Sequence, residues 1–226
     1  MMMPSTVYPA LLTLALAAPA QAIEFGVGSL QVKIPLTSIK QARMATTTRQ
    51  QFDFSCGSAA VATLMTYHYN RPVTEQAVFE QMFRDGDKAK IRTQGFSLLD
   101  MQKFLASHGL RGDGFQLPLA KLFEAKLPAI VLISDKGYNH FVVIKGTADG
   151  RILLGDPSSG TRVMPIARFH EIWKNKLLFV IHGYKGMPAF NGEADWRSAP
   201  IARLDDPLNR TGLDVATLPR FGPGEF

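Results

Sequence analysis

RQQFDFSCGSAAVATLMTYH, residues 49–68, runs from a polar, turn-like segment through Cys56 into an unbroken series of small and apolar residues. Ala, Leu and Met are strong helix formers, and no Pro or late Gly interrupts them, so the second half predicts a buried helix over residues 56–69. Cys56 falls on its first turn. There, unpaired backbone N–H groups and the positive end of the helix dipole stabilise a thiolate. A lone cysteine is ordinarily a small buried hydrophobe. The position just before a buried helix is what points to a nucleophile instead.

Downstream of that helix the pattern stays helical. Residues 73–84 form one broad apolar face behind a Thr74 N-cap, and Gly86 ends the run. The polar residues 87–95 predict a loop. Ser97 caps a further helix to His108, with Gly109 at its C-terminus, and residues 118–126 form a short fourth helix. The pattern then changes. AIVLI (129–133), HFVVIK (140–145), RILLG (151–155) and LLFVIH (177–182) predict strands, the first three separated by the turns DKG and GTADG, and 167–174 predicts a helix. Upstream, the alternation in GVGSLQVKIPL predicts a strand or two. Helices followed by an antiparallel sheet define an α+β domain.

The chain has 226 residues, 46% of them hydrophobic, which suits one domain with a sizeable core. Residues 1–22 carry no charged side chain. ALLTLALAAP is followed by Ala20-Gln21-Ala22, the pattern of a secretory signal peptide too short to span a membrane, although no Lys or Arg precedes the apolar core. Export to the periplasm is the expectation, with no integral membrane segment after cleavage. The domain then runs over 23–184. Residues 185–226, polar and holding five prolines, read as an irregular tail. The net charge of +6 is scattered without a dense run or nucleic-acid motif, so nucleic acid is not an expected partner. In an oxidising compartment an odd cysteine cannot close an internal disulfide, which sharpens the case for a reactive thiol.

A thiol nucleophile needs a base and a group that orients the base. His68 lies about 18 Å along the helix from Cys56, too far to serve. His108 ends a helix, His170 sits on a short amphipathic helix, and His182 closes a strand. His140 opens an apolar strand after a Gly-Tyr-Asn turn, and the next strand ends in Asp156-Pro157. A hairpin centred near Ala148 places His140 and Asp156 opposite each other, where cross-strand Cβ atoms stand about 4.5–5.5 Å apart. A one-residue slip would spoil that geometry. Donors for an oxyanion are the Cys56 N–H and an upstream glutamine, Gln50 or Gln51. The histidines are dispersed and there is a single cysteine, so no metal site and no cofactor are expected.

Together, QQFDFSCGSAA (50–60), NHFVV (139–143) and GDP (155–157) resemble the bacteriocin-processing cysteine peptidases, papain-like domains that cut double-glycine leader peptides. The resemblance spans about residues 44–184. It implies a papain-like fold with N-terminal helices packed on a C-terminal antiparallel sheet. It also implies Cys56 as nucleophile, His140 as general base and acid, Asp156 as orienting group, and Gln50, six residues before the cysteine, as oxyanion donor with Gln51 the fallback. Ser55 departs from the Asp often found before the family's cysteine. Many members are fused to a transporter. An exported chain looks more like the standalone members beside outer-membrane secretion systems, including those that export functional amyloid in pseudomonads. A protein or peptide substrate is then implied, such as a secreted amyloid subunit, or an outer-membrane secretion channel as partner. Two other readings share these residues. One is a non-catalytic binding or chaperone-like accessory on a peptidase fold. The other is acyl transfer or peptidoglycan-peptide hydrolysis by the same thiol–imidazole chemistry.

Overall fold

The computed structural model describes residues 23–27, 30–34, 38–135 and 137–199. The expected signal peptide, residues 1–22, and the end of the tail, 200–226, lie outside the described residues. The described residues up to Ser38 form a unit of their own. In it, β1 (Ile23–Val27) and β2 (Leu30–Ile34) pair as an antiparallel hairpin, the extended structure that the alternation of this segment predicts.

The second unit begins at Ile39. Its helical half comprises α1 (Ile39–Arg43), α2 (Cys56–Thr63), α3 (Glu75–Asp85), α4 (Lys88–Gln94) and α5 (Leu98–Ser107). Residues Leu64–His68 continue α2 as a π-helical turn. The caps form as the sequence dictates: Thr74 accepts from the Ala77 N–H, and Ser97 makes a reciprocal capping box with Asp100. One segment departs from expectation. Residues 87–95 are not a loop, because Asp87 caps α4 through the N–H groups of Ala89 and Lys90, Ile91 buries, and Gly95 ends the helix at φ +77°. A two-turn helix anchored by one apolar residue is too short to show a periodicity.

Six antiparallel strands form one sheet in the order β3-β8-β4-β5-β6-β7. They are β3 (Arg111–Phe115), β4 (Ala129–Asp135), β5 (Tyr138–Ala148), β6 (Arg151–Asp156), β7 (Gly160–Pro165) and β8 (Leu178–His182). Alternate residues serve two cores. Ile130, Val143, Phe179 and Ile181 pack under the helices with Leu64, Val78, Met101 and Phe104. Val131, Val142, Ile144, Ile152 and Val180 pack on the opposite face with α6 (Leu119–Ala125) and α7 (Ile166–Ile172). Both faces are covered, so the central strands read as continuous apolar runs rather than as alternating ones.

Strands β3 and β7 are the sheet's edges and were not foreseen. Gly112 in β3 is required by packing: a Cβ there would stand 2.6 Å from a Leu105 methyl and 2.7 Å from the Phe179 ring. Gly112, which lets α5 approach, and Gly114, which packs on Leu177, also erase the apolar signal of a strand. Within residues 185–199, expected to be irregular, α8 (Glu193–Ser198) forms and Asp195 buries against Lys145.

Candidate active site

The loop before α2 is tied down on both sides. The Gln50 N–H donates to the Pro157 carbonyl at 3.0 Å, joining this loop to the turn that follows Asp156. The Thr48 N–H donates to Thr63 Oγ1, and Ser55 closes a local turn with Phe52. Cys56 therefore opens α2 with no acidic residue in the first turn, a free thiol 8% exposed. It lines a cleft of about 790 Å3, together with Asp53, Phe54, Phe96, Tyr138 and Asn139. Two of its lining rings, Phe54 and Phe96, are joined by ring contacts to Phe79, which also meets Phe52. Behind the helix, Ser58 donates to the buried carboxylate of Glu75 at 2.7 Å.

His140 and Asp156 meet, but not by the expected register. The β5–β6 turn is the two-residue Asp149-Gly150, both at positive φ, the geometry of a tight hairpin. Lys145 forms a β-bulge, and the ladder runs on to Val143↔Gly155. One further step sets Asp156 beside Val142, so His140 lies two residues along. The pair is diagonal rather than directly opposite. A two-residue offset keeps both side chains on one face, whereas a one-residue slip would not. His140 Nε2 hydrogen-bonds Asp156 Oδ1 at 2.8 Å, with both side chains almost fully buried.

Asp156 is held as a carboxylate. Its Oδ1 also accepts from the Ser158 N–H at 2.9 Å and hydroxyl at 2.7 Å, and Oδ2 accepts from Arg162 Nε at 3.1 Å. Burial pushes its pKa upward, but the bond to His140, the imidazolium charge, Ser158 and Arg162 outweigh that and hold it well below the ordinary carboxylate range. For His140 burial favours the neutral ring, yet the bonds to Asp156 and Cys56 and their negative charges raise its pKa to about 9. With Nε2 committed to Asp156, Nδ1 has no other partner and is the nitrogen left for the thiol. The arrangement can stabilise an imidazolium beside a thiolate.

Gln50 is near the site, but its amide is turned to the backbone. Its Nε2 donates to the Phe52 carbonyl at 3.0 Å and reaches that of Asp53 at 3.5 Å, while its Oε1 is buried without a partner. Gln51 is exposed. The other histidines lie elsewhere. His68 Nδ1 bonds the Ala189 carbonyl, His108 Nδ1 that of Phe104, and His182 pairs with Asp113. Sequence reasoning missed Ser158 and Arg162. Asp-Pro-Ser-Ser is an Asx-turn signature that could have flagged the first; Arg162 is on an unforeseen strand. Among the described residues, no three His, Cys, Asp or Glu side chains gather into a metal-holding group, and no helix is long and apolar enough to cross a membrane.

A cysteine at the head of a buried helix, packed against an antiparallel sheet that carries a histidine–aspartate pair, defines a papain-like cysteine peptidase. Comparison with known proteins gives the family. Residues 45–184 match the Peptidase C39 family, and the chain belongs to it. A probable functional amyloid protease of Pseudomonas aeruginosa, FapD, is 37% identical over 187 residues, covering 82% of this chain and 76% of that protein. Two solved structures share the fold. The peptidase domain of Streptococcus ComA, a bifunctional ABC transporter involved in quorum sensing, has a TM-score of 0.51 at 20% identity, over 60% of this chain and 96% of that one. A double-glycine-motif protease from an AMS/PCAT transporter, in complex with its leader peptide, has a TM-score of 0.50 at 23% identity, over 60% and 89%.

Proposed function

We propose that this cysteine peptidase works in the periplasm, hydrolysing a peptide bond in a secreted protein or a secretion-system component through Cys56, His140 and Asp156. The observation that carries the reading is the buried 2.8 Å bond between His140 and Asp156, with the imidazole pKa raised to about 9 beside Cys56. At neutral pH the imidazole holds its proton. The thiolate of Cys56 attacks the carbonyl carbon, and the carbonyl π pair moves to oxygen. His140 then gives its proton to the leaving amine as the C–N bond breaks. It next accepts a proton from the water that attacks the thioester, and the acid product leaves as the thiolate re-forms. Asp156 orients the ring, and Gln50 swings from the backbone carbonyls to donate to the oxyanion.

Similarity to a probable functional amyloid protease supports a secreted amyloid subunit, or the channel that exports it, as the substrate or partner. The uncharged, apolar residues 1–22 with their A-x-A motif support export. The test is processing of co-secreted proteins in a strain lacking the gene, complemented with wild type or Cys56→Ala. The variant is expected to be exported, folded and unable to process. Normal processing by Cys56→Ala would overturn the reading in favour of a binding accessory.

A further inference from the structure

Tyr138 has no role in the mechanism as stated, yet its position is unusual. It follows the turn between β4 and β5, half exposed, and its ring stacks on His140 with centroids 5.7 Å apart at 30°. Its hydroxyl crosses to the other side of the cleft and donates to the Asp53 carbonyl at 3.0 Å. Gln50 Nε2 reaches the same carbonyl at 3.5 Å. Two donors from different elements thus converge on one oxygen, in a cleft lined by Cys56, Asp53 and Tyr138. The phenol senses the site: burial and then the charges of Cys56 and Asp53 raise its pKa, while a bond from Gln50 lowers it.

Resting on the peptidase reading above, we propose that Tyr138 is a catalytic residue whose hydroxyl, with the Gln50 amide, donates to the oxyanion formed when Cys56 attacks a carbonyl. In the free enzyme the phenol rests on the Asp53 carbonyl, which stands in for the substrate's oxygen, while the Gln50 amide rests on the Phe52 carbonyl at 3.0 Å with the Asp53 carbonyl at the edge of its reach. A substrate carbonyl replaces that acceptor without adding an unpaired donor to the site. A phenol is well suited to the task. It is a neutral donor at neutral pH, and the same charges that raise its pKa keep its proton in place. A hydrogen bond that strengthens as the π pair moves to oxygen acts on the transition state rather than on the ground state.

The test compares two reactions of the same thiol in wild type and Tyr138→Phe. Iodoacetamide alkylates Cys56 by displacement of iodide at a saturated carbon and forms no oxyanion. The p-nitrophenyl ester of acetylglycine acylates it: the S–C bond forms, the π pair goes to oxygen, and its return expels p-nitrophenolate. In Tyr138→Phe the acylation rate is expected to fall about 10- to 100-fold, with alkylation within threefold of wild type across pH. A purely structural role would displace the thiolate and slow both reactions together. A parallel fall, or unchanged acylation, overturns the proposal while leaving the peptidase reading intact. A wild-type Cys56 inert to both reagents overturns the peptidase reading, and the Tyr138 role with it.

Discussion

Strand β5 carries two buried charged groups five residues apart. His140, 4% exposed, pairs with Asp156, and Lys145, fully buried on the bulge, pairs with Asp195 at 2.5 Å. The Lys145 ammonium also donates to the Thr46 carbonyl at 2.6 Å and hydroxyl at 2.9 Å, so its proton donors are spent. His140 has only the Cys56 thiol for its second nitrogen, and that thiol lines a cleft. Burial of charge does not by itself mark a site. The same strand builds a sealed structural ion pair and one that borders a cleft, and what separates them is a committed proton against an available one.

Cys56→Ala should separate the two most completely, abolishing hydrolysis while leaving the urea midpoint close to wild type. Asp195→Leu should do the reverse. It strands the Lys145 charge in the core and should cost about 3–5 kcal/mol of stability, read by urea unfolding, with the thiol still reactive wherever the protein remains folded. Lys145→Met combined with Asp195→Leu should recover most of that loss, since an apolar pair of similar volume replaces a buried ion pair at little cost. If the double variant is as unstable as the single one, Asp195 holds residues 185–199 through something other than charge.

Asp156→Asn should lower kcat about 100-fold at neutral pH, because the neutral amide no longer holds the imidazolium. Its effect on stability should be smaller than that of Asp195→Leu, since the His140 left behind can give up its proton and become neutral, whereas Lys145 is left as a buried charge. The pH windows should differ too. The His140 pKa is raised to about 9 in the fold, so its contribution to stability is full below about 6.5 and lost as pH climbs to 9. His68, beside Lys145, is lowered to about 4 by burial and then by the lysine charge. Its unfolded state takes up a proton first, so stability is lost as pH falls from about 6.5 toward 4. Urea midpoints at pH 5, 7 and 9 should show the acid loss disappear in His68→Gln and the alkaline loss disappear in His140→Gln.

The reactive cluster was more legible in the sequence than the sealed one. Cys56 announces itself through the helix behind it, and His140 and Asp156 lie at the ends of strands joined by a recognisable turn. Neither their register nor their shared face was readable: across the two-residue Asp149-Gly150 turn an unbroken ladder would set them on opposite faces, and only the bulge at Lys145, which nothing local marks, brings them to one. Lys145 itself reads as the polar end of the strand HFVVIK. Its partner Asp195 is fifty residues away in a segment of tail-like composition, so no pattern within either stretch announces the ion pair. The same limit hid α4, β3 and β7, which depend on a cap, a close glycine contact and an edge position rather than on apolar periodicity. Tyr138 stood in plain view next to Asn139-His140, but its reach to the Asp53 carbonyl is a tertiary fact.

The central claim is that Cys56 and His140 form a thiolate–imidazolium pair. Its most direct test is the rate of iodoacetamide alkylation of the mature protein across pH, followed by intact mass, in wild type and His140→Ala. Wild-type Cys56 is expected to be alkylated rapidly at neutral pH, and His140→Ala to lose that reactivity. A Cys56 that is inert in the native fold, or that reacts alike in both proteins, would contradict it.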